Sequence, residues 1–192
     1  MGKPQLFFGT GNAKKLEEIQ AILGDHFTIK SFRDLPEKIE VEEDRPDLEG
    51  NAIKKAKEFY EAVGVPCFAD DTGLEVDALG GRPGVRSARY AGEPADSEAN
   101  MALLLKELEG AEDRSAQFRT VIAYYDGASL HTFDGVLRGR IGMEKKGDKG
   151  FGYDPLFHPD EDQRTLAEME PDEKNAISHR GRAVRKFAQF LL

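Results

Sequence analysis

The feature that most constrains this chain is a short apolar run that stops at glycine and gives way at once to a helical pattern. Gln5-Leu6-Phe7-Phe8 reads as a buried strand ending at Gly9-Thr10-Gly11-Asn12, after which Leu16, Ile19 and Leu23 recur at spacings of three and four, up to Gly24. The alternation continues. Residues 27–32 suit a strand, and 48–63 a helix through Ala52, Ala56, Phe59 and Val63. A short strand over 65–69 should run into Asp70-Asp71-Thr72-Gly73. Met101, Leu104, Leu105 and Leu108 mark another helix, capped by Asp96 or Ser97, with Gly110 beyond its end. Residues 117–125 and 129–137 flank Asp126-Gly127, a hairpin signal. A glycine-rich charged loop over 139–150 leads to Phe151-Gly152-Tyr153-Asp154-Pro155, and a final helix should bury Ala183, Val184, Phe187, Phe190 and Leu191. Strands alternating with helices, plus one long hairpin, predict an α/β chain with a mixed sheet.

Length and charge narrow the function. At 192 residues, with no repeat or linker-like stretch, the chain is expected to be a single domain, 1–192. The 36 acidic against 27 basic residues leave a net charge of −9, which disfavours nucleic-acid binding, since that needs basic patches. The lone Cys67 excludes a disulfide framework and, lying in an apolar run, reads as inert core. No apolar run nears the ~20 residues of a membrane span, and no signal-peptide layout opens the chain. These features point to a soluble cytoplasmic protein. His26, His131, His158 and His179 are too scattered for zinc-ligand spacing.

Four segments could carry chemistry. Thr10-Gly11-Asn12-Ala13-Lys14-Lys15 sits at a strand-to-helix junction, where unpaired N–H groups and partial positive charge suit a phosphate. It matches neither the P-loop nor the dinucleotide fingerprint, and the bland reading is an Asn-capped surface helix with exposed lysines. Asp70 and Asp71 follow a strand, where ligands of open α/β sheets sit. Two carboxylates ~4 Å apart repel by about 4 kcal/mol at an effective dielectric of 20, and a divalent cation reverses that sign. Oxygen ligands favour magnesium, with Glu37, Glu40, Glu42, Glu43 and Asp44 as possible second acids, although a turn cap and a solvated acidic loop explain the same residues. In the third segment Phe151 or Tyr153 could stack on a base or plug the core. In the fourth, Lys174 could hold a phosphate, and His179 and Arg180 could donate to ring carbonyls, beside a bland reading in which Ser178 caps a helix.

Taken in order, Thr10-Gly-Asn-Ala-Lys-Lys, Asn51-Ala-Ile-Lys-Lys-Ala, Ala69-Asp-Asp-Thr-Gly-Leu, residues 80–92, Gly150-Phe-Gly-Tyr-Asp-Pro and Ser178-His-Arg-Gly resemble the inosine/xanthosine triphosphate pyrophosphatase family. The resemblance implies an elongated two-lobed α/β domain, with a long mixed β-sheet flanked by helices and a central nucleotide cleft. It also implies a homodimer that uses Mg2+ to hydrolyse dITP, ITP or XTP to the monophosphate and pyrophosphate. By position it assigns Thr10, Gly11, Asn12, Ala13, Lys14 and Lys15 to the triphosphate, and Thr72 to a place beside the substrate. Asp71 becomes the essential carboxylate, as general base or metal ligand, and Glu42 the second metal carboxylate. Phe151, Gly152, Tyr153 and Asp154 form the base-stacking loop, Lys174 is a substrate lysine, and His179 and Arg180 read the purine. Where many members carry Glu-Asn-Ala, this chain has Gly50-Asn51-Ala52.

Overall fold

The computed structural model describes residues 2–192. Six strands form one mixed sheet in the order β2-β1-β3-β4-β5-β6, built from β1 (Gln5–Phe8), β2 (Thr28–Lys30), β3 (Cys67–Val76), β4 (Ser115–Tyr125), β5 (Leu130–Ile141) and β6 (Phe157–Pro159). β1 pairs in parallel with β2 (Leu6 opposite Ile29) and with β3 (Phe8 opposite Phe68), whereas β5 and β6 pair antiparallel. The helices are α1 (Ala13–Leu23), α2 (Leu48–Val63), α3 (Ser97–Glu107), α4 (Pro171–Ile177) and α5 (His179–Leu191). This is the mixed α/β sheet that the alternating pattern predicts.

The chain divides into two compact units. The first comprises residues 1–71, 121–134 and 183–192, and the second residues 72–120 and 135–182. In the first unit Leu6, Phe8, Ile19, Leu23, Phe68, Ile122 and Phe187 make the core, with the Phe8 and Phe68 rings stacked at 4.6 Å. In the second, Leu74, Val76, Leu104, Leu137, Phe157 and Leu166 are sealed from solvent. Each buried Leu, Ile or Phe contributes about 1.5–3 kcal/mol.

The helix ends follow their caps. Asn12, Asp47 and Asp96 accept first-turn N–H groups of α1, α2 and α3, and Gly64 closes α2 in the left-handed conformation (φ 70°).

Three expectations change. β3 does not stop before its acids: Asp70 and Asp71 lie in mid-strand, so neither is a turn cap nor lies beyond a strand end. The lysines that meet this acidic stretch outweigh its local turn preference. The strand expected over 27–32 shrinks to Thr28–Lys30, because Ser31 caps a 3-10 turn at Phe32–Asp34. On α5, Ala183, Val184, Phe187 and Ala188 are buried, but Phe190 is 44% exposed and Leu191 only half-buried. Phe190 instead lies against Tyr124, His131 and Phe133 at the edge of the first unit.

Candidate active site

In the first unit the tight turn after β1 brings the chain to α1. Gly9 is obligatory there, because a Cβ would stand 1.9 Å from the Phe59 ring. Thr10 Oγ1 accepts the Asn12 N–H, and Asn12 Oδ1 accepts those of Lys14 and Lys15. Two N–H groups expected to await a phosphate are therefore already capped. What α1 presents is its side chains and the Gly11 and Ala13 turn. Thr10, Gly11, Asn12 and Lys15 line a cleft of about 480 Å³ together with Lys38, Glu40, Glu43, Lys55 and Asp70. Ala13 and Lys14 are exposed at the start of the helix.

Strand geometry separates the two adjacent acids, since consecutive side chains leave opposite faces. Asp70 Oδ2 accepts Lys15 Nζ at 3.0 Å. Asp71, 8% exposed, meets α2 instead. Its carboxylate is hydrogen-bonded by the Asn51 side chain and lies in the field of Lys55, Glu43 and Asp70. Burial pushes its pKa up to about 6; Lys55 opposes that rise, and Glu43 and Asp70 reinforce it. Lys55 Nζ donates to the Asp70 backbone carbonyl at 2.6 Å and to Glu43 Oε1 at 3.0 Å. Burial alone would lower the pKa of Lys55, but Asp70, Asp71 and Glu43 outweigh it, and the ammonium is held above its ordinary value.

The acidic stretch expected to supply a second metal ligand is pinned along α2. Lys54 Nζ donates to the Glu42 backbone carbonyl at 2.8 Å and to Asp44 Oδ1 at 2.9 Å. Glu42, the acid indicated by the family resemblance, thus meets α2 through its main chain. It is Glu43 whose carboxylate reaches Lys55 and the field of Asp71. Lys54 and Lys55 are neighbours, so each holds a different acid, and Glu43 falls to the one that also contacts β3.

Glu43 and Asp71 share the field of Lys55, while Asp70, on the other face of β3, is paired with Lys15. Among the described residues no group of three or more His, Cys, Asp or Glu side chains forms a cage of its own. An all-oxygen set with an excess of negative charge, but too few protein ligands to enclose an ion, fits magnesium, which keeps waters and binds substrate phosphates.

The second unit holds the aromatic and basic residues. Thr72 Oγ1 lies 2.8 Å from Thr120 Oγ1, a hydroxyl pair. Gly150 (φ 72°) admits the Asp154 carboxylate, for a Cβ there would stand 2.2 Å from Oδ2. That oxygen accepts the Phe151 N–H at 3.1 Å and Lys174 Nζ at 2.6 Å. The Lys174 ammonium lies 4.5 Å from the centroid of the Phe151 ring, and the Arg180 guanidinium 5.5 Å. Phe151 is 42% exposed, whereas Tyr153 is buried and donates its hydroxyl to the Ser87 carbonyl at 2.7 Å. Of the two candidate rings, the structure leaves Phe151 for stacking and commits Tyr153 to the core. Gly152 (φ 62°) turns the chain between them.

Lys174 is buried on Asp154 rather than extended towards solvent. His179, also buried, stacks on Phe118 at 4.9 Å with 17° between the planes. Ser178 does cap α5, through the Gly181 N–H. Both the cap and the cluster of donors are therefore present. Asn51, Lys55 and the Asp154–Lys174 pairing carried no assigned role in the sequence; the signal available was the i, i+4 spacing of Asn51 and Lys55 on one helix face.

An all-oxygen acidic cluster at a cleft of about 480 Å³, and an aromatic–cation cluster in a second unit, describe a nucleotide-handling α/β enzyme. The chain belongs to the Ham1 family, whose model matches residues 6–190. It is 51% identical to a dITP/XTP pyrophosphatase of Geobacter sulfurreducens, covering 94% of this chain and 92% of that one. It is 46% identical to the dITP/XTP pyrophosphatase of Flavobacterium johnsoniae, with 97% of each chain covered. The solved Ham1 protein of Staphylococcus aureus superposes with a TM-score of 0.92 at 37% identity, over 97% of each chain.

Proposed function

We propose that this protein hydrolyses non-standard purine nucleoside triphosphates, dITP, ITP and XTP, to the monophosphate and pyrophosphate, and so keeps them out of nucleic acid. The observation that carries this reading is that Asp70, Glu43, Lys15 and Lys55 line one cleft with Thr10, Gly11 and Asn12, with Asp71 in the field of Glu43 and Lys55. The names of the relatives above support the substrate class.

Glu43 and Asp71 would hold a divalent cation, Mg2+ by the chemistry of the donors, with Glu43 preferred to Glu42. A cation held by these two acids would supply positive charge to offset the negative charge developing on the leaving pyrophosphate. Lys14, Lys15 and Lys55 orient the triphosphate and screen its charge, and the turn at 10–13 lies along its path. The Asp71 carboxylate also takes the proton of the water that attacks the α-phosphorus. In the second unit Phe151 stacks on the purine, Asp154 and Lys174 shape its loop, and His179 and Arg180 serve the base. An Arg donor suits the O6 acceptor of hypoxanthine and xanthine. Adenine offers a donor at that position and would leave a buried donor unmatched, which discriminates strongly.

The whole chain acts as one pyrophosphatase domain in this reading, as a cytoplasmic homodimer acting on free nucleotides. Among the described residues no helix is long and apolar enough to cross a membrane. The test is pyrophosphate release from dITP, XTP, dATP and dGTP, with Mg2+ and with excess chelator. Rapid Mg2+-dependent release from dITP and XTP is expected. Orthophosphate as the first product, or full activity in chelator, would sink the reading.

A further inference from the structure

Asn51 stands at an odd place for an asparagine. It lies in the first turns of α2, yet Asp47 already caps that helix, and asparagine is a poor interior helix former. It is 1% exposed, so its amide must find partners inside the protein. It finds them on two separate segments. Asn51 Oδ1 accepts the Arg45 N–H at 2.9 Å, and Nδ2 reaches the Arg45 carbonyl at 3.5 Å. The same side chain hydrogen-bonds the Asp71 carboxylate on β3. Arg45 lies two residues from Glu43, in the stretch that Lys54 and Lys55 also hold against α2. Lys54 serves only that stretch. Asn51 binds both the stretch and the Asp71 side chain.

We propose that Asn51 is a positioning residue whose amide ties the backbone at Arg45, and with it the Glu43 carboxylate, to Asp71, setting the spacing of the two acids before any cation arrives. The proposal rests on the reading of Glu43 and Asp71 as the cation-holding pair. Only an amide does this work. It accepts from one side and donates to the other, whereas a carboxylate cannot donate to Asp71 and an alkyl group leaves the Arg45 N–H without its acceptor. Groups that orient metal ligands commonly change metal affinity by about 10–100-fold when removed.

The experiment uses nucleotide-free full-length protein, with Mn2+ as a spectroscopic stand-in for magnesium. Amide hydrogen exchange at Arg45 and Mn2+ affinity by electron paramagnetic resonance are measured for wild type, Asn51→Ala, Glu43→Gln and the double variant. Asn51→Ala should speed Arg45 exchange and weaken Mn2+ binding, each by about tenfold or more. In the Glu43→Gln background the same substitution should change Mn2+ affinity by less than about twofold, because the tether then has no carboxylate to place. Wild-type Mn2+ affinity in Asn51→Ala, or equal weakening in both backgrounds, overturns the proposal. Should Asn51→Ala not fold, Asn51→Ser, too short to span Arg45 and Asp71, must likewise speed Arg45 exchange; exchange at the wild-type rate in that variant overturns the tether. A wild type that binds no Mn2+ and cleaves no dITP overturns the underlying reading of the acids, while Arg45 exchange still judges the tether itself.

Discussion

The two units hold their ion pairs to different ends. In the first, Lys15 and Lys55 pair with Asp70 and Glu43 at a cleft while Asp71 adds its field to that of Glu43, whose side chain is 37% exposed. In the second, Lys174 and Asp154 form a matched pair with side chains 11% and 5% exposed, closed beneath Phe151. The first cluster has negative charge to spare, so a cation gains by entering it. The Lys174–Asp154 pair is balanced within itself, and its geometry goes into shaping a loop. A salt bridge thus marks a ligand site where charge is left over, and a brace where it is not.

The largest effect that would break this contrast is at Asp71. Asp71→Asn should cut dITP turnover by about 10³-fold or more, measured as pyrophosphate release. In metal-free protein the same change should not lower Tm at pH 8. The folded pKa of Asp71 is raised to about 6 from 3.8, so the folded state binds the extra proton between those values. Wild-type stability on this account falls as pH rises from about 4 to about 6 and is flat above, and Asp71→Asn lacks that slope.

Lys174→Met should act the other way, costing about 3–5 kcal/mol in urea unfolding by stranding the buried Asp154. Adding Asp154→Asn should recover much of the loss. No recovery would mean that the pair is not a brace. Next in size, Glu43→Gln should raise the Mg2+ concentration for half-maximal activity by about tenfold or more, while Glu42→Gln leaves it unchanged. The smallest effects separate the two rings of one loop. Phe151→Ala should raise KM for dITP by about 5–150-fold, the worth of one stacked base, with stability within about 0.5 kcal/mol of wild type. Tyr153→Phe should cost about 1 kcal/mol of stability through the lost bond to Ser87 and leave KM alone.

Much of this was legible in the residues. The α2 helix occupies the 48–63 span that its periodicity predicts, and Asn12, Asp96 and Ser178 cap as their types suggest. The ordered motifs were enough to indicate the family. What the chain could not reveal was pairing across sequence. β3 runs on through Asp70 and Asp71 because lysines fifty-five and sixteen residues away meet them, and no local rule contains those partners. The choice between Glu42 and Glu43 turns on which side chain faces Lys55, a matter of one residue of register. Phe151 and Tyr153 look alike as letters and differ only in what the surrounding fold leaves open.

The borders between the units fall inside β3, β4, β5 and α5, so the chain passes from one unit to the other four times. The core of the first unit includes Ala183, Val184 and Phe187 of α5. During synthesis on a ribosome, the part bearing Asp71 therefore cannot finish its interior until every residue of the other part has already emerged. No truncation yields either half alone, and a nascent chain stalled before α5 is left with an open hydrophobic seam for chaperones to shield.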